Sequence, residues 1–339
     1  MKVLVTGGLG YIGSHTVVEL QNEGHNVVVI DNLSNSSKDV LDGITNITGV
    51  KPEFENIDLR DKDKVKKFFK RHQDIDGVIH FAASKAVGES VEKPLHYYEN
   101  NISTLIYVLQ EFQKLNHQNF IFSSSCTVYG EADIQPITES SPIKKARSPY
   151  GNTKQVGEEI LKDSCQINTK LNTIALRYFN PIGAHSSAHI GELPQGIPQN
   201  LVPYITQTAI GLREQLSVFG NDYPTKDGTC IRDYIHVVDV AKAHVSALKR
   251  LFKNQQENNF EVFNIGTGKG SSVIEVIKAF EDVSKQKLNY KIVERRKGDV
   301  ISAYADTTKV NNTLGWKPQY SLNDAILDAW KWEQKIRTK

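Results

Sequence analysis

The chain has 339 residues, 39% hydrophobic and 24% charged, enough to bury one large core or two moderate ones. Its 41 basic and 39 acidic residues leave a formal charge of +2, which supplies no field for nucleic acid or an anionic membrane. No apolar run reaches the ~18 residues of a membrane span, and the first strand passes straight into glycines rather than a signal peptide. Cys126, Cys165 and Cys230 are odd in number and far apart, with no zinc-like pattern, which suits a reducing cytoplasm.

KVLVT predicts a strand, GYIGSHTVVELQNEG a helix and HNVVVID a second strand. A third strand-like run ends at Asp58 and Leu59. DKDKVKKFFKRH then places Val65, Phe68 and Phe69 at helical spacing, with its lysines forming a solvated face. GVIHFAA, YYENNISTLIYVLQEFQKLN, NFIFSSS, the helix opened by SPYGNTK, and NTIALRYFN continue the alternation. Strand and helix in strict succession predict an α/β fold, a Rossmann-type doubly wound parallel sheet. From Pro181 the texture turns to glycine- and proline-rich loops, while DYIHVVDVAKAHVSALKRL and EVFNIG return to the sheet. The expected division is a cofactor domain of residues 1–180 plus about 235–268, and a smaller mixed α/β substrate domain of about 181–234 plus 269–339. His185 and His189 mimic an HxxxH pair but lack a helical frame, so no metal site is expected.

VLVTGGLGYIG spaces Gly7, Gly10 and Gly13 as GxxGxxG between a strand and a helix. Side chains there would block a pyrophosphate from the helix amino terminus, where free N–H groups favour an anion. Asp31 ends the second strand and suits the two adenosine ribose hydroxyls, while its charge repels a 2′-phosphate, so NAD is expected rather than NADP. Asp58 and Leu59 are placed to meet the adenine, and Phe81, Ala82 and Ala83 to line the cleft at the fourth strand's end.

In SPYGNTK, Ser148 caps a helix, Pro149 occupies its first turn, and Tyr150 and Lys154 project from one face. Ser123, Ser124 and Ser125 end the preceding strand at the carboxyl edge, where open α/β sheets bind ligands. A tyrosine is a poor base at neutral pH, and the expectation is that the Lys154 ammonium and a cationic nicotinamide both favour the phenolate, with Lys154 lowering the phenol pKa, while Ser125 relays or orients a substrate hydroxyl proton.

GGLGYIG, the serine strand and YGNTK resemble the extended short-chain dehydrogenase/reductase superfamily. DNLSNSS, HFAASKAVGESVEKP, FIFSSSCTVYGE, LRYFNPIGAH, PQGIPQNLVPYI, FGNDYPTKDGT, IRDYIHVVDVA and RRKGD extend the resemblance, nearly end to end, to its UDP-glucose 4-epimerase family. That resemblance implies inversion of carbon 4 of a UDP-hexose through a transient 4-keto sugar, with tightly bound NAD and a homodimer. It adds Tyr11, Ile12, Asn32, Asn35 and Ser36 to the cofactor contacts, with Lys85, Asn100 and Phe179 near the nicotinamide half. Lys85, Ser125, Tyr150, Asn180, Asn200 and Leu201 would meet the sugar and phosphates; Ser217, Val218 and Phe219 the uridine; Arg232, Arg296 and Asp299 the nucleotide. Arginines suit phosphates as bidentate donors, and a carboxylate suits a ribose hydroxyl.

Two departures stand out. Cys126 occupies a position that often carries a small residue, and Ala303 falls where members restricted to glucose and galactose carry tyrosine. The second implies that N-acetylated sugars are also accepted. A nucleotide-sugar 4,6-dehydratase shares the same cofactor site, but its extra acid and base usually follow the active-site hydroxyl, where this chain has Cys126 and Thr127. A catalytically silent NAD-sensing protein on the same fold is the other alternative, opposed by the intact Ser125, Tyr150 and Lys154.

Overall fold

The computed structural model describes residues 1–296 and 299–338; Lys297 and Gly298 of the RRKGD stretch, and Lys339, lie outside the described residues. β1 (Lys2–Thr6) leads into α1 (Tyr11–Asn22), then β2 (Asn26–Asp31), α2 (Val40–Thr48), β3 (Glu53–Asn56), α3 (Lys62–Arg71) and β4 (Gly77–His80). α4 (Val87–Glu92), α5 (Pro94–Phe112), β5 (Asn119–Ser123), a 3-10 turn at Cys126–Tyr129, α6 (Pro149–Ile167) and β6 (Asn172–Tyr178) follow. The later elements are β7 (Asn180–Ile182), α7 (Leu201–Ala209), β8 (Leu216–Phe219), β9 (Ile231–Arg232), β10 (Tyr234–His236) and α8 (Val237–Phe252). β11 (Phe260–Ile265), β12 (Ser271–Ser272), α9 (Val273–Ser284), β13 (Tyr290–Val293), β14 (Ser302–Ala303), α10 (Thr308–Leu314) and α11 (Leu322–Arg337) complete the chain.

One seven-stranded sheet has the order β11-β6-β5-β4-β1-β2-β3. The chain winds from β1 outward through β2 and β3, then returns to build the other half from β4, which is the doubly wound topology. Val5 pairs with Val29 on one side and Ile79 on the other, both in parallel register. Burial on both faces explains why β1, β2 and β4 read as continuous apolar runs. Val65, Phe68 and Phe69 of α3 are buried, and Asp61 caps the helix by accepting from the Lys64 amide. Such a cap contributes about 1 kcal/mol.

Two compact units emerge. The first comprises Met1–Gly130, Pro142–Tyr178 and Ala241–Phe263; the second comprises Glu131–Ser141, Phe179–Val240 and the described residues from Asn264 onward. Residues 131–141, read from sequence with the first domain, group with the second unit. Within that unit β8 pairs with β13, β10 with β7, and β12-β9-β14 form a small sheet. Its core gathers Val202, Ile205, Phe280, Ile326 and Trp330, with the Phe280 and Trp330 rings edge to face at 5.5 Å. Capping boxes at Ser272/Glu275 and Ser321/Asp324 fix the starts of α9 and α11. Among the described residues no helix is long and apolar enough to cross a membrane.

Candidate active site

The glycine turn between β1 and α1 is closely built. Gly7 has φ +68°, and a Cβ on it would lie 2.9 Å from the Ala82 amide nitrogen. A Cβ on Gly13 would lie 2.3 Å from the Gly7 carbonyl oxygen, so the helix packs directly on the turn. Gly10 occupies the N-cap of α1, which therefore has no side-chain cap, and its first turn holds no acidic residue. Its first amides are therefore oriented for an anion, the fit expected of a dinucleotide pyrophosphate. Asp31 Oδ2 accepts from the Leu9 amide at 3.1 Å, and Oδ1 from the Leu33 amide at 2.9 Å and Ser36 Oγ at 2.8 Å. The carboxylate thus fixes the turn and the loop of Asn32, Asn35 and Ser36 while keeping lone pairs for further donors.

Asp58 lies beyond the end of β3 rather than on the strand, and Asp61, not Asp58, caps the next helix. Its carboxylate accepts from Arg60 Nε at 3.1 Å and from the other guanidinium nitrogen at 2.6 Å. This Arg60 pairing, with the Asn32 amide adding to it, holds the Asp58 carboxyl below its ordinary range. Lys85 Nζ lies 5.6 Å from the Tyr11 ring centroid, and the Asn100 amide donates to Ser84 Oγ at 3.2 Å. Ile12 follows Tyr11 in the first turn of α1, Leu59 is buried in the core, and Phe81, Ala82 and Ala83 are half-buried directly after β4.

Ser148 Oγ caps α6 by accepting from the Gly151 amide at 3.1 Å, and Pro149 occupies the first turn. Tyr150 and Lys154 are consequently stacked on the buried face, beside Ser125 after β5; all three are nearly inaccessible. Tyr150 is hydrogen-bonded to Ser125. Lys154 Nζ donates to the Ser123 carbonyl at 2.6 Å and stands 5.9 Å from the Tyr150 ring centroid. Among the protein's own groups, Lys154 does not bring the phenol pKa below its ordinary value. Burial holds Tyr150 well above its ordinary range, Tyr178 adds to the rise, and the Ser125 hydrogen bond opposes it. Burial also draws Lys154 down to about 8, with Glu158 pulling the other way. Desolvation outweighs the attraction because both groups are enclosed and the ammonium is turned toward a backbone carbonyl.

In the second unit Asp299 is held between two arginines: Arg296 at 2.7 Å and Arg232 at 3.4 Å. The Arg296 guanidinium lies 5.7 Å from the Phe219 ring centroid. Ser217, Val218 and Phe219 belong to β8, but the Val218 side chain is buried in the core, leaving only its backbone for a ligand. Ala303 of β14 is the register partner of Arg232. The Tyr304 ring lies instead toward Gly270, where a Cβ would meet it at 3.2 Å. Asn180 opens β7, Asn200 donates to Glu192 at 2.8 Å, Leu201 begins α7, and Phe179 is buried. His185 bonds Ser187, and His189 meets Lys335.

Sequence reasoning missed several groups. Asn101, buried beside Asn100, donates to the Ser84 carbonyl and to Thr153 Oγ1, tying the loop after β4 to α6. Tyr178 meets Ser123 Oγ at 2.8 Å. Glu158, four residues beyond Lys154, repeats the spacing that separates Lys154 from Tyr150, a signal legible in the sequence.

A doubly wound parallel sheet, a glycine turn opening α1, and a buried Ser–Tyr–Lys trio at the sheet's carboxyl edge define an extended short-chain dehydrogenase/reductase. The family model described as GDP-mannose 4,6 dehydratase matches residues 4–329. UDP-glucose 4-epimerase of Drosophila melanogaster is 48% identical, over 98% of this chain and 96% of that protein. The UDP-glucose-4-epimerase structure from Stenotrophomonas maltophila, with bound NAD and formylated UDP-arabinopyranose, is 48% identical with TM-score 0.96, covering 100% and 99% of the two chains. The UDP-Glc/GlcNAc 4-epimerase from Campylobacter jejuni is 38% identical with TM-score 0.85, covering 98% of this chain and 99% of that one. The chain belongs to the UDP-glucose 4-epimerase family.

Proposed function

We propose that this chain is an NAD-dependent isomerase that inverts carbon 4 of a UDP-hexose, interconverting UDP-galactose and UDP-glucose. The observation that carries this reading is the Ser125–Tyr150–Lys154 trio, buried together at the end of β5. Bound NAD supplies a reversible oxidant for carbon 4, so the cycle has no net redox change. Tyr150 takes the proton of the 4-hydroxyl and returns it, Ser125 orients that hydroxyl, and Lys154 keeps positive charge on the same face of α6. The first turn of α1 holds the dinucleotide pyrophosphate, and Asp31 and Asp58 face its adenosine half. Arg232 and Arg296 grip the diphosphate of the substrate while Asp299 accepts from the uridine ribose. That anchor must hold as the 4-keto sugar turns over between its two faces.

The matching family model carries a dehydratase name. Cys126 and Thr127, following Ser125, provide no carboxylate for eliminating water. The silent alternative is opposed by the intact trio.

The same site is proposed to accept UDP-N-acetylglucosamine and UDP-N-acetylgalactosamine. Ala303 stands in register with Arg232, and the Tyr304 ring is directed elsewhere, so a methyl rather than an aromatic ring occupies that strand position. A cytoplasmic homodimer completes the reading, supported by the family and by three cysteines that are in no disulfide. Incubating the purified protein with UDP-galactose, without added NAD, tests the function: UDP-glucose is expected. Folded, NAD-loaded protein that gives none would refute it.

A further inference from the structure

Behind the trio lies a buried ionic cluster that the proposed chemistry does not use. Tyr150, Lys154 and Glu158 follow one another at single-turn spacing along the inner face of α6. Glu158 Oε1 accepts from Ser124 Oγ at 2.5 Å and from Arg177 Nε at 2.9 Å; Oε2 accepts from a second Arg177 nitrogen at 2.5 Å. The remaining Arg177 nitrogen donates to the Tyr129 hydroxyl at 2.9 Å, and the guanidinium lies 4.8 Å from that ring's centroid. Ser124 sits between Ser123, whose carbonyl takes the Lys154 ammonium, and Ser125, which bonds Tyr150. A buried ion pair whose carboxylate accepts three hydrogen bonds is a weak stabiliser but a strong geometric constraint.

We propose that Glu158 is a positioning residue: with Arg177 and Ser124 it locks the end of β5 against α6 and holds a negative charge one turn from the Lys154 ammonium. The inference rests on the reading of Tyr150 and Lys154 as the reaction's proton-handling pair. The groups facing Lys154 are Tyr150 and Glu158 on α6, the Ser123 carbonyl on β5 and His80 on β4. Those facing Glu158 are Ser124 on β5 and Arg177 on β6, with Tyr129 behind the guanidinium. Tyr178 and Cys126 face Tyr150. Among these, Glu158 is the group whose charge favours the protonated amine.

The test is a 13C NMR titration of lysine-labelled protein, with Lys154 identified by the resonance missing from Lys154→Arg, beside the pH profile of kcat. In Glu158→Gln the Lys154 midpoint and the basic limb of kcat should both fall by about one pH unit. Ser124→Ala keeps both charges, so its midpoint should stay in place while kcat drops about 3- to 10-fold from lost alignment. If Glu158→Gln does not fold, Glu158→Gln/Arg177→Met removes both charges, and a smaller shift of the same sign is expected. An unmoved or raised Lys154 midpoint in the folded Glu158 variant overturns the electrostatic role; unchanged kcat in Ser124→Ala overturns the locking role. The titration stands apart from the reaction, since wild-type turnover of UDP-galactose is what tests that reading.

Discussion

Lys154 Nζ and the Ser123 carbonyl oxygen are 2.6 Å apart, joining the buried face of α6 to the carboxyl end of β5. The bond engages the carbonyl of the strand's last residue, and it holds the ammonium at the sheet edge where Tyr150 also sits. Its acceptor is backbone, so the geometry depends on where α6 begins. That start is set by Ser148 and Pro149.

Tyr150→Phe keeps the ring in the same buried space and removes only the hydroxyl that meets Ser125. We expect kcat to fall by about 10²- to 10⁴-fold, the usual worth of a positioned proton acceptor, with NAD and UDP binding retained. Steady-state kinetics and binding titrations on the variant decide it. Wild-type-like turnover would remove Tyr150 from the mechanism.

Asp31→Asn preserves the shape but loses the charge and one of the two acceptor oxygens that hold the Leu9 and Leu33 amides. The preference for NAD over NADP should narrow by about tenfold or more, because charge-assisted hydrogen bonding weakens and repulsion of a 2′-phosphate vanishes. Equilibrium titration with both dinucleotides measures the ratio. An unaltered ratio would mean that Asp31 serves the turn alone.

Much of this arrangement was legible in the sequence, for identifiable reasons. KVLVT, HNVVVID and GVIH are central strands buried on both faces, so composition alone marks them. Ser148 and Pro149 announced α6 because capping chemistry is local. β3 was harder: EFEN lies at the sheet edge, half-exposed and polar, without the apolar run of its neighbours. The two-residue strands β9, β12 and β14 carry no periodic signal, yet they set Ala303 beside Arg232. The Tyr150 pKa misled for another reason. Proximity of Lys154 was readable from spacing, whereas the depth of burial that outweighs it is a property of the assembled core.

If Ala303 lines the sugar pocket as proposed, Ala303→Tyr should place a wall there. The kcat/KM for UDP-N-acetylgalactosamine is expected to drop by about 100-fold, with that for UDP-galactose changing less than about fivefold, since steric exclusion falls on the larger substituent. Parallel kinetics with both sugars on both proteins is the comparison. Equal handling of the acetylated sugar by the variant, or its rejection by the wild type, would show that Ala303 is not the gate.

His80, wholly buried and bonded to Thr6 Oγ1 at 2.9 Å, is pushed by desolvation from 6.5 down to about 3. The folded state therefore refuses a proton that the unfolded chain takes up below 6.5, so the stabilisation present above that pH is lost as pH falls toward 3. By about pH 5 this one group should cost about 2 kcal/mol relative to about pH 7.5. Chemical denaturation at both pH values, on wild type and His80→Asn, should show the difference shrinking by that amount in the variant. An identical difference in both proteins would place the acid sensitivity elsewhere.

The central claim is that carbon 4 is oxidised and reduced within one enclosed site, without exchange. UDP-galactose deuterated at carbon 4, turned over in ordinary water, tests it directly by mass spectrometry and NMR of the product. The expected product is UDP-glucose with the deuterium retained on the inverted carbon. UDP-glucose from which that label has been lost to solvent would contradict the account.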